Sequence, residues 1–270
     1  MSIPLPRICW PYNIVTGVND RIVVQCALVN SGNPITAIIA ADTTGSTYPT
    51  PEALATAVAA AMQTAIANGI TVSITVSTSG FAWLAIDEPG GTGVFTVKWS
   101  TASGLGKLLG FASAISGTDQ ALSWEDLFTH EESYAGAEDQ MQNFWYPGLP
   151  VRSDPRERST YPRTVVETAT SAVTVDLTTA IQRRTISFEN LPAAKTLVSQ
   201  EGSLVNQALE RLFVAPTGGY SKLRWYDDAT NLSIYATYAL REKTSQQFAA
   251  TRMYDALELY KLTLEMTATS

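Results

Sequence analysis

The sequence has few of the residues on which most catalytic and metal sites depend. Its 270 residues include two cysteines and one histidine, and only 16% of them are charged. Two thiols cannot form a disulfide framework, so we interpret Cys9 and Cys26 as free, half-buried thiols. Because a single histidine leaves almost no Ser-His-Asp or Cys-His arrangement, nucleophilic catalysis has almost no candidates.

Long apolar runs and excess positive charge are also missing. No stretch reaches the roughly 18 consecutive apolar residues that a membrane span needs, so we expect no membrane partner. Residues 1–7 lack the basic start and apolar run of a signal peptide, which predicts a protein made and assembled in a cytosol. The formal net charge of −7 argues against direct phosphate binding, and nucleic acid is not an expected partner.

Hydrophobic residues are plentiful, at 45% of the chain, and this is enough for a full core. A soluble monomer usually covers itself with more charge than this chain carries. Its polar surface must therefore consist largely of Thr, Ser, Asn and Gln, or be buried against other subunits.

The remaining candidates for chemistry include two acidic stretches. His130 lies among carboxylates, but it lacks the spaced ligand pairs of a zinc or iron site, so we interpret the stretch as a solvated acidic turn. Asp227 and Asp228 could act as paired carboxylates, yet with Ala-Thr-Asn after them they are typical of a hairpin turn. We therefore predict no catalytic residues, no metal, no cofactor and no enzymatic activity.

Residues 46–111 carry the most informative pattern. Thr50 can cap a helix whose first residue is Pro51, and Leu54, Val58, Met62 and Ile66 then recur every four residues. Three short strands are predicted after the helix, at 70–77, 81–86 and 93–99, and Leu-Leu-Gly-Phe closes the segment at 108–111.

This order of elements resembles a module of tailed-bacteriophage virion proteins, in which a Tyr-Thr-rich helix start, a helix, three strands and a terminal Leu-Leu-Gly-Phe follow one another. The resemblance covers about a quarter of the chain. The matching residues are Tyr48, Thr50, Leu54, Ala55, Ala57, Val58, Ala61, Ile66, Ile70, Thr71, Val72, Ile74, Trp99 and Leu108 to Phe111.

The second half shows a similar rhythm of strands, a helix and further strands. Strands are predicted at 164–168, 172–177, 184–190, 221–226, 232–240 and 257–266, and a helix at about 201–213. The fold class is therefore α+β, with two β-rich sheet-plus-helix modules joined by a long irregular segment. We assign residues 1–115 to the first module, 116–163 to the joining segment and 164–270 to the second module.

The joining segment combines aromatic residues with arginines and has little periodicity. The aromatic set is typical either of an interface anchor or of a plug that covers a sheet edge. The arginines fit either a solvated linker or an ion-pair strip between subunits. As an arm that reaches a neighbouring subunit or another virion protein, the segment would supply these interface residues: Trp124, Phe128, Phe144, Trp145, Tyr146, Arg152, Arg156 and Arg158.

The resemblance implies a virion component that is assembled in the host cytoplasm and contacts itself and other virion proteins. Because both halves are predicted as modules that can pack side by side around an axis, we expect a tail or baseplate ring or hub subunit of the distal-tail kind. The alternatives are a head–tail connector or tail-terminator ring, and a virion protein that binds a receptor or carbohydrate through exposed aromatic residues.

Overall fold

A computed structural model gives the fold of most of the chain. It describes residues 4–27, 29–67, 69–87, 94–123, 130–133, 141, 143–152, 158–160, 163–167, 173–177, 181–192, 223–240, 251–254 and 259–268. The helix predicted at about 201–213 lies outside these residues, so it stays a prediction.

Strands dominate the described residues and a few helices accompany them, so the fold is α+β, as the sequence predicts. The helices are α1 (Pro51–Ile66), α2 (Gly104–Leu109) and α3 (Ala112–Ser116). The strands of the first half are β1 (Arg7–Cys9), β2 (Arg21–Cys26), β3 (Ile35–Ile38), β4 (Thr71–Val76), β5 (Ala82–Asp87), β6 (Val94–Val97), β7 (Gln120–Ser123) and β8 (His130–Ser133). Those that follow are β9 (Phe144–Trp145), β10 (Arg158–Thr160), β11 (Arg163–Glu167), β12 (Val173–Leu177), β13 (Ile181–Pro192), β14 (Leu223–Tyr226), β15 (Ala236–Leu240), β16 (Thr251–Tyr254) and β17 (Leu259–Ala268).

Two antiparallel sheets and α1 form the N-terminal part. The first sheet has the strand order β3-β2-β6-β7 and the second has the order β4-β5-β8. Helix α1 packs against β3 and β4, the end strands of these two sheets, while β7 and β8 contact each other. The two sheets therefore meet along β7 and β8, and α1 covers their opposite end strands, β3 and β4.

The start and the buried face of α1 follow the sequence signals. Thr50 Oγ1 accepts a hydrogen bond of 3.2 Å from the backbone N–H of Ala53, and Pro51 begins the helix. The predicted stripe of residues at 54, 58, 62 and 66 is buried, with no member more than 2% exposed. This stripe anchors the helix on the core, and the prediction is confirmed.

The Leu-Leu-Gly-Phe segment ends α2 and starts α3. Gly110 adopts φ +86°, a left-handed conformation that favours glycine at the end of a helix. Phe111 follows and stacks on Trp99 at a ring-centroid distance of 5.8 Å. Gly106 permits a close approach as well, since a Cβ atom there would lie 2.3 Å from the Trp99 ring.

The third sheet unites both ends of the chain. Its order is β10-β13-β17-β15-β14-β1-β9, and β16 also pairs with β17. Residues of β17 alternate as predicted, since Leu262, Leu264 and Met266 are buried whereas Lys261 and Thr263 are exposed. β11 and β12 form a separate antiparallel pair.

The cores do not follow the expected module boundaries. The first core includes Met141, and the second core takes Ile8, Trp10 and Trp145 into the sheet of the C-terminal half. In the expected joining segment, β7 and β8 extend the N-terminal sheets, while β9 and β10 lie at the two ends of the third sheet. The described parts of residues 116–163 are thus built into this chain, and we correct the expectation of a separate arm accordingly.

The acidic stretch at His130 also differs from its interpretation. Residues 130–133 form β8, which pairs antiparallel with β5 and places His130 opposite Ile86. The physical reason is that β5 offers an unpaired edge, and backbone hydrogen bonds to that edge outweigh the low strand propensity of carboxylates.

Candidate protein–protein interface

Phe144 and Trp145 lie inside the molecule, where they cannot contact a partner. They form β9, which pairs with Ile8 and Cys9 of β1, and they are 0% and 3% exposed. Trp145 meets the ring of Phe188 edge-on at 5.4 Å. Of the two interpretations of this aromatic set, the plug on a sheet edge describes both residues.

The other predicted interface residues have different locations. Tyr146 is half-buried against the cluster of Cys9, Phe144 and Tyr226. Arg152 is largely exposed and pairs with Glu189 of its own chain at 3.2 Å, and Arg158 belongs to β10. The remaining three, Trp124, Phe128 and Arg156, lie outside the described residues.

A buried arginine joins β1 to α1. Arg7 is 1% exposed and donates two hydrogen bonds, of 2.7 and 2.9 Å, to the two carboxylate oxygens of Glu52. Its guanidinium also lies 5.3 Å from the ring centre of Phe144 and 4.9 Å from that of Tyr226. The ion pair therefore ties the third sheet to the helix of the N-terminal part.

Next to this pair, Cys9 is an inert thiol. Burial raises the pKa of Cys9 to about 12, so the thiol stays protonated at neutral pH. Both cysteines are free and buried, which excludes a disulfide between them in this structure. The described region around Arg7 therefore acts as a structural junction between β1 and α1.

The loop between β14 and β15, residues 227–235, exposes three large apolar side chains. We name Leu232, Ile234 and Tyr235 the hairpin-loop patch; Ile234 is 67% exposed. Tyr235 lies beside Tyr226 at a centroid distance of 5.7 Å, and the Arg224 guanidinium lies 4.2 Å from the Tyr235 ring centre.

Hydrogen bonds within the chain hold this loop in place. The Asp228 carboxylate accepts from the backbone N–H and the hydroxyl of Thr230 at 2.9 and 2.6 Å, which lowers the pKa of Asp228. The backbone N–H of Ala229 donates to the carbonyl of Leu5 at 2.8 Å, and Asn231 accepts from the N–H of Ser233. The hairpin turn predicted at Asp227 and Asp228 is confirmed, and it presents its apolar side chains in a defined conformation.

Three further exposed apolar side chains lie around the start of β2, in the turn before it and at the paired end of β3. We name Val15, Val18 and Ile38 the β2-turn patch; Val18 is 70% exposed. Asn19 fixes the turn, because its side chain accepts from the N–H of Val15 at 2.7 Å and donates to the carbonyl of Asn13 at 2.9 Å. Together the two patches contain all the large apolar side chains that are exposed in the described part of the chain.

A cleft of about 390 Å³ adjoins the hairpin loop. It lies where the N-terminal residues, the β4–β5 turn and the hairpin loop meet, and its lining combines one aromatic ring with hydroxyl and carboxylate groups. Among the lining residues are Leu5, Thr78, Tyr146, Asp228 and Thr230.

Sequence reasoning missed the exposed patches, and the signal for them was weak. Isoleucine and valine are common in strands and their ends, so nothing in the local sequence marks Ile234 or Val18 as exposed. Periodicity alone does not show which face of a short element meets solvent.

Within the described ranges, no group of three or more potential ligand side chains could hold a metal ion, and no helix is long and apolar enough to cross a membrane.

Comparison with known proteins gives no family assignment for this chain. A scan against protein-family models finds no match, and a search of the curated proteins finds none.

Proposed function

We propose that this chain is a non-catalytic structural component of a tailed-phage virion, a tail or baseplate ring or hub subunit that associates with itself and with other virion proteins. The observation that carries the proposal is the hairpin-loop patch. A loop fixed by its own hydrogen bonds exposes three large apolar side chains, and ordered apolar surface of this kind is typical of a contact site.

The N-terminal part gives independent support. Residues 46–111 resemble the virion module, and the described strands and helices of that segment follow the predicted order, from the Thr50 cap to the glycine-ended helix before Phe111. Such sheet-plus-helix units bury one face and leave strand edges that a neighbouring subunit can cover.

Sedimentation velocity of the purified full chain tests this proposal. A ring subunit is expected to associate as its concentration rises to about 100 μM and to reach a species of one fixed size. A chain that stays strictly monomeric over this range would contradict the proposal. Labelling the protein in virions and locating it by electron microscopy distinguishes a tail-end position from the alternative, a head–tail connector or tail-terminator ring.

Glycan or receptor binding is the second candidate, and the cleft at Tyr146 favours it because it combines an aromatic ring with hydroxyl and carboxylate groups. Trp145 does not contribute, since it is only 3% exposed. Glycan-array binding that is lost on Tyr146→Ala, in a protein that does not self-associate, would support this candidate over the structural one.

A further inference from the structure

The cleft beside the hairpin loop is built from segments that the fold holds in place. Its volume of about 390 Å³ lies in the range of about 300–1,000 Å³ that is typical of small-ligand sites. The backbone N–H of Ala229 donates to the carbonyl of Leu5 at 2.8 Å, so the hairpin loop is bonded to the N-terminal segment. Ser77 closes the β4–β5 turn, because its N–H donates to the carbonyl of Phe81 and its hydroxyl accepts from the N–H of Phe81. The cleft is therefore formed before any ligand arrives.

Part of the cleft lining is apolar and includes an aromatic ring. Tyr146 is half-buried against the cluster that contains Phe144 and Tyr226, so packed side chains support its ring. Pro4 and Leu5 add aliphatic surface to the lining. The face of an aromatic ring is electron-rich and attracts C–H groups, such as those on one face of a sugar ring.

The polar part of the lining combines one carboxylate with hydroxyl groups. Of the described residues that line the cleft, only Asp228 carries a charge, and Thr78 and Thr230 supply hydroxyls. One Asp228 oxygen accepts from the hydroxyl and the N–H of Thr230 at 2.6 and 2.9 Å. These bonds lower the pKa of Asp228, so the carboxylate is ionised at neutral pH.

We propose that this cleft binds a neutral saccharide and rejects anionic ones, with Tyr146 as the stacking surface and Asp228 as the residue that determines the charge preference. The proposal names the ligand class for the second candidate function, glycan binding, and rests on it. A sugar presents hydroxyl donors beside a C–H face, and this matches acceptors beside an aromatic ring. An anionic ligand would bring a second negative charge into the cleft, where no Lys or Arg of the described lining offsets it.

A cationic ligand matches the lining less well. An ammonium group is strongly hydrated and needs several acceptors to replace its water. Asp228 already accepts two hydrogen bonds from Thr230, and the other described lining residues are apolar, aromatic or hydroxyl-bearing.

A glycan array of matched neutral and anionic pairs, such as lactose and its sialylated form, tests the charge preference on the purified full chain. The neutral member of a pair is expected to bind at least about fivefold more tightly. Asp228→Asn keeps an oxygen that can accept from Thr230 but removes the charge, so the difference within each pair is expected to shrink to less than about twofold. Asp119→Asn, the same change at a residue outside the cleft lining, is the matched control and is expected to keep the wild-type preference.

Two substitutions of Tyr146 test the stacking surface. Tyr146→Ala removes the ring and is expected to weaken binding of neutral glycans by about tenfold or more. Tyr146→Phe keeps the ring and is expected to bind within about threefold of the wild type. Circular dichroism and the melting temperature show whether each variant is folded.

The other outcomes each refute a stated part. An array on which no glycan binds would refute the second candidate function and this proposal with it. A preference for anionic glycans, or a neutral preference that survives Asp228→Asn, would refute the charge assignment and leave glycan binding standing. Glycan binding unchanged by Tyr146→Ala would refute the assignment to this cleft, and binding of butylamine without any glycan binding would identify a cation site instead.

Discussion

Replacement of Glu52 by glutamine tests the junction between β1 and α1. Glutamine keeps the shape of the side chain but removes the charge that Arg7 faces through two hydrogen bonds of 2.7 and 2.9 Å. Because Arg7 is 1% exposed, its charge would remain buried without a counterion. Breaking a buried ion pair in this way costs about 3–5 kcal/mol, and since Glu52 itself is 27% exposed we expect the low end, about 3 kcal/mol.

Removing the other partner is expected to cost less. Arg7→Met leaves a carboxylate that can reach water, and the methionine keeps apolar contact with the rings of Phe144 and Tyr226. We expect a loss of about 1–2 kcal/mol, mainly from the hydrogen bonds and from the cation–π contacts. The double variant should be more stable than the sum of the two single losses predicts.

Urea unfolding at neutral pH, followed by tryptophan fluorescence and circular dichroism, measures these losses. Thr56→Gln, exposed on the same helix, is the control and should change the free energy of unfolding by less than about 0.5 kcal/mol. A loss of less than about 1 kcal/mol for Glu52→Gln could come from the lost attraction between the Glu52 charge and the N-terminus of α1 alone. That result would show that the ion pair between Arg7 and Glu52 does not stabilise the junction.

Two further predictions concern stability. Phe144→Ala removes a fully buried ring and is expected to lower the free energy of unfolding by about 3–5 kcal/mol in urea titrations; an unchanged value would restore the idea of an arm. Hydrogen bonds from Lys98 and Ser100 lower the pKa of Asp119 to about 2, so its stabilising contribution is present above the unfolded-state pKa of about 3.9 and is lost as the pH falls towards 2. The stability difference between the wild type and Asp119→Asn should therefore shrink on acidification from pH 5 to about pH 2, and a difference independent of pH would refute this assignment.

Local elements were predictable because their signals lie within a few residues. The Thr50 cap and the four-residue apolar spacing determine α1, and apolar–polar alternation determines β4 and β17. Long-range pairing was not predictable. β1 has only three residues, and its partner β14 lies near the other end of the chain, so no local pattern indicates that the two belong to one sheet.

The candidate site was predictable only in part. The hairpin turn at Asp227 and Asp228 has a recognisable sequence, whereas the burial of Phe144 and Trp145 depends on a two-residue strand that is too short to show a period. The exposure of Val18 and Ile234 depends on tertiary packing around them. Sequence alone therefore left the aromatic set open between an interface anchor and a plug on a sheet edge, and it left the exposed aliphatic residues unmarked.

Negative-stain electron microscopy of the associated fraction tests the central claim, a closed homo-oligomer, most directly. Subunits that meet head to tail at a fixed rotation are expected to form rings of one diameter and one subunit number. Class averages with a single rotational symmetry would agree with the account. Particles of monomer size at every concentration up to about 100 μM, or only amorphous aggregates, would contradict it.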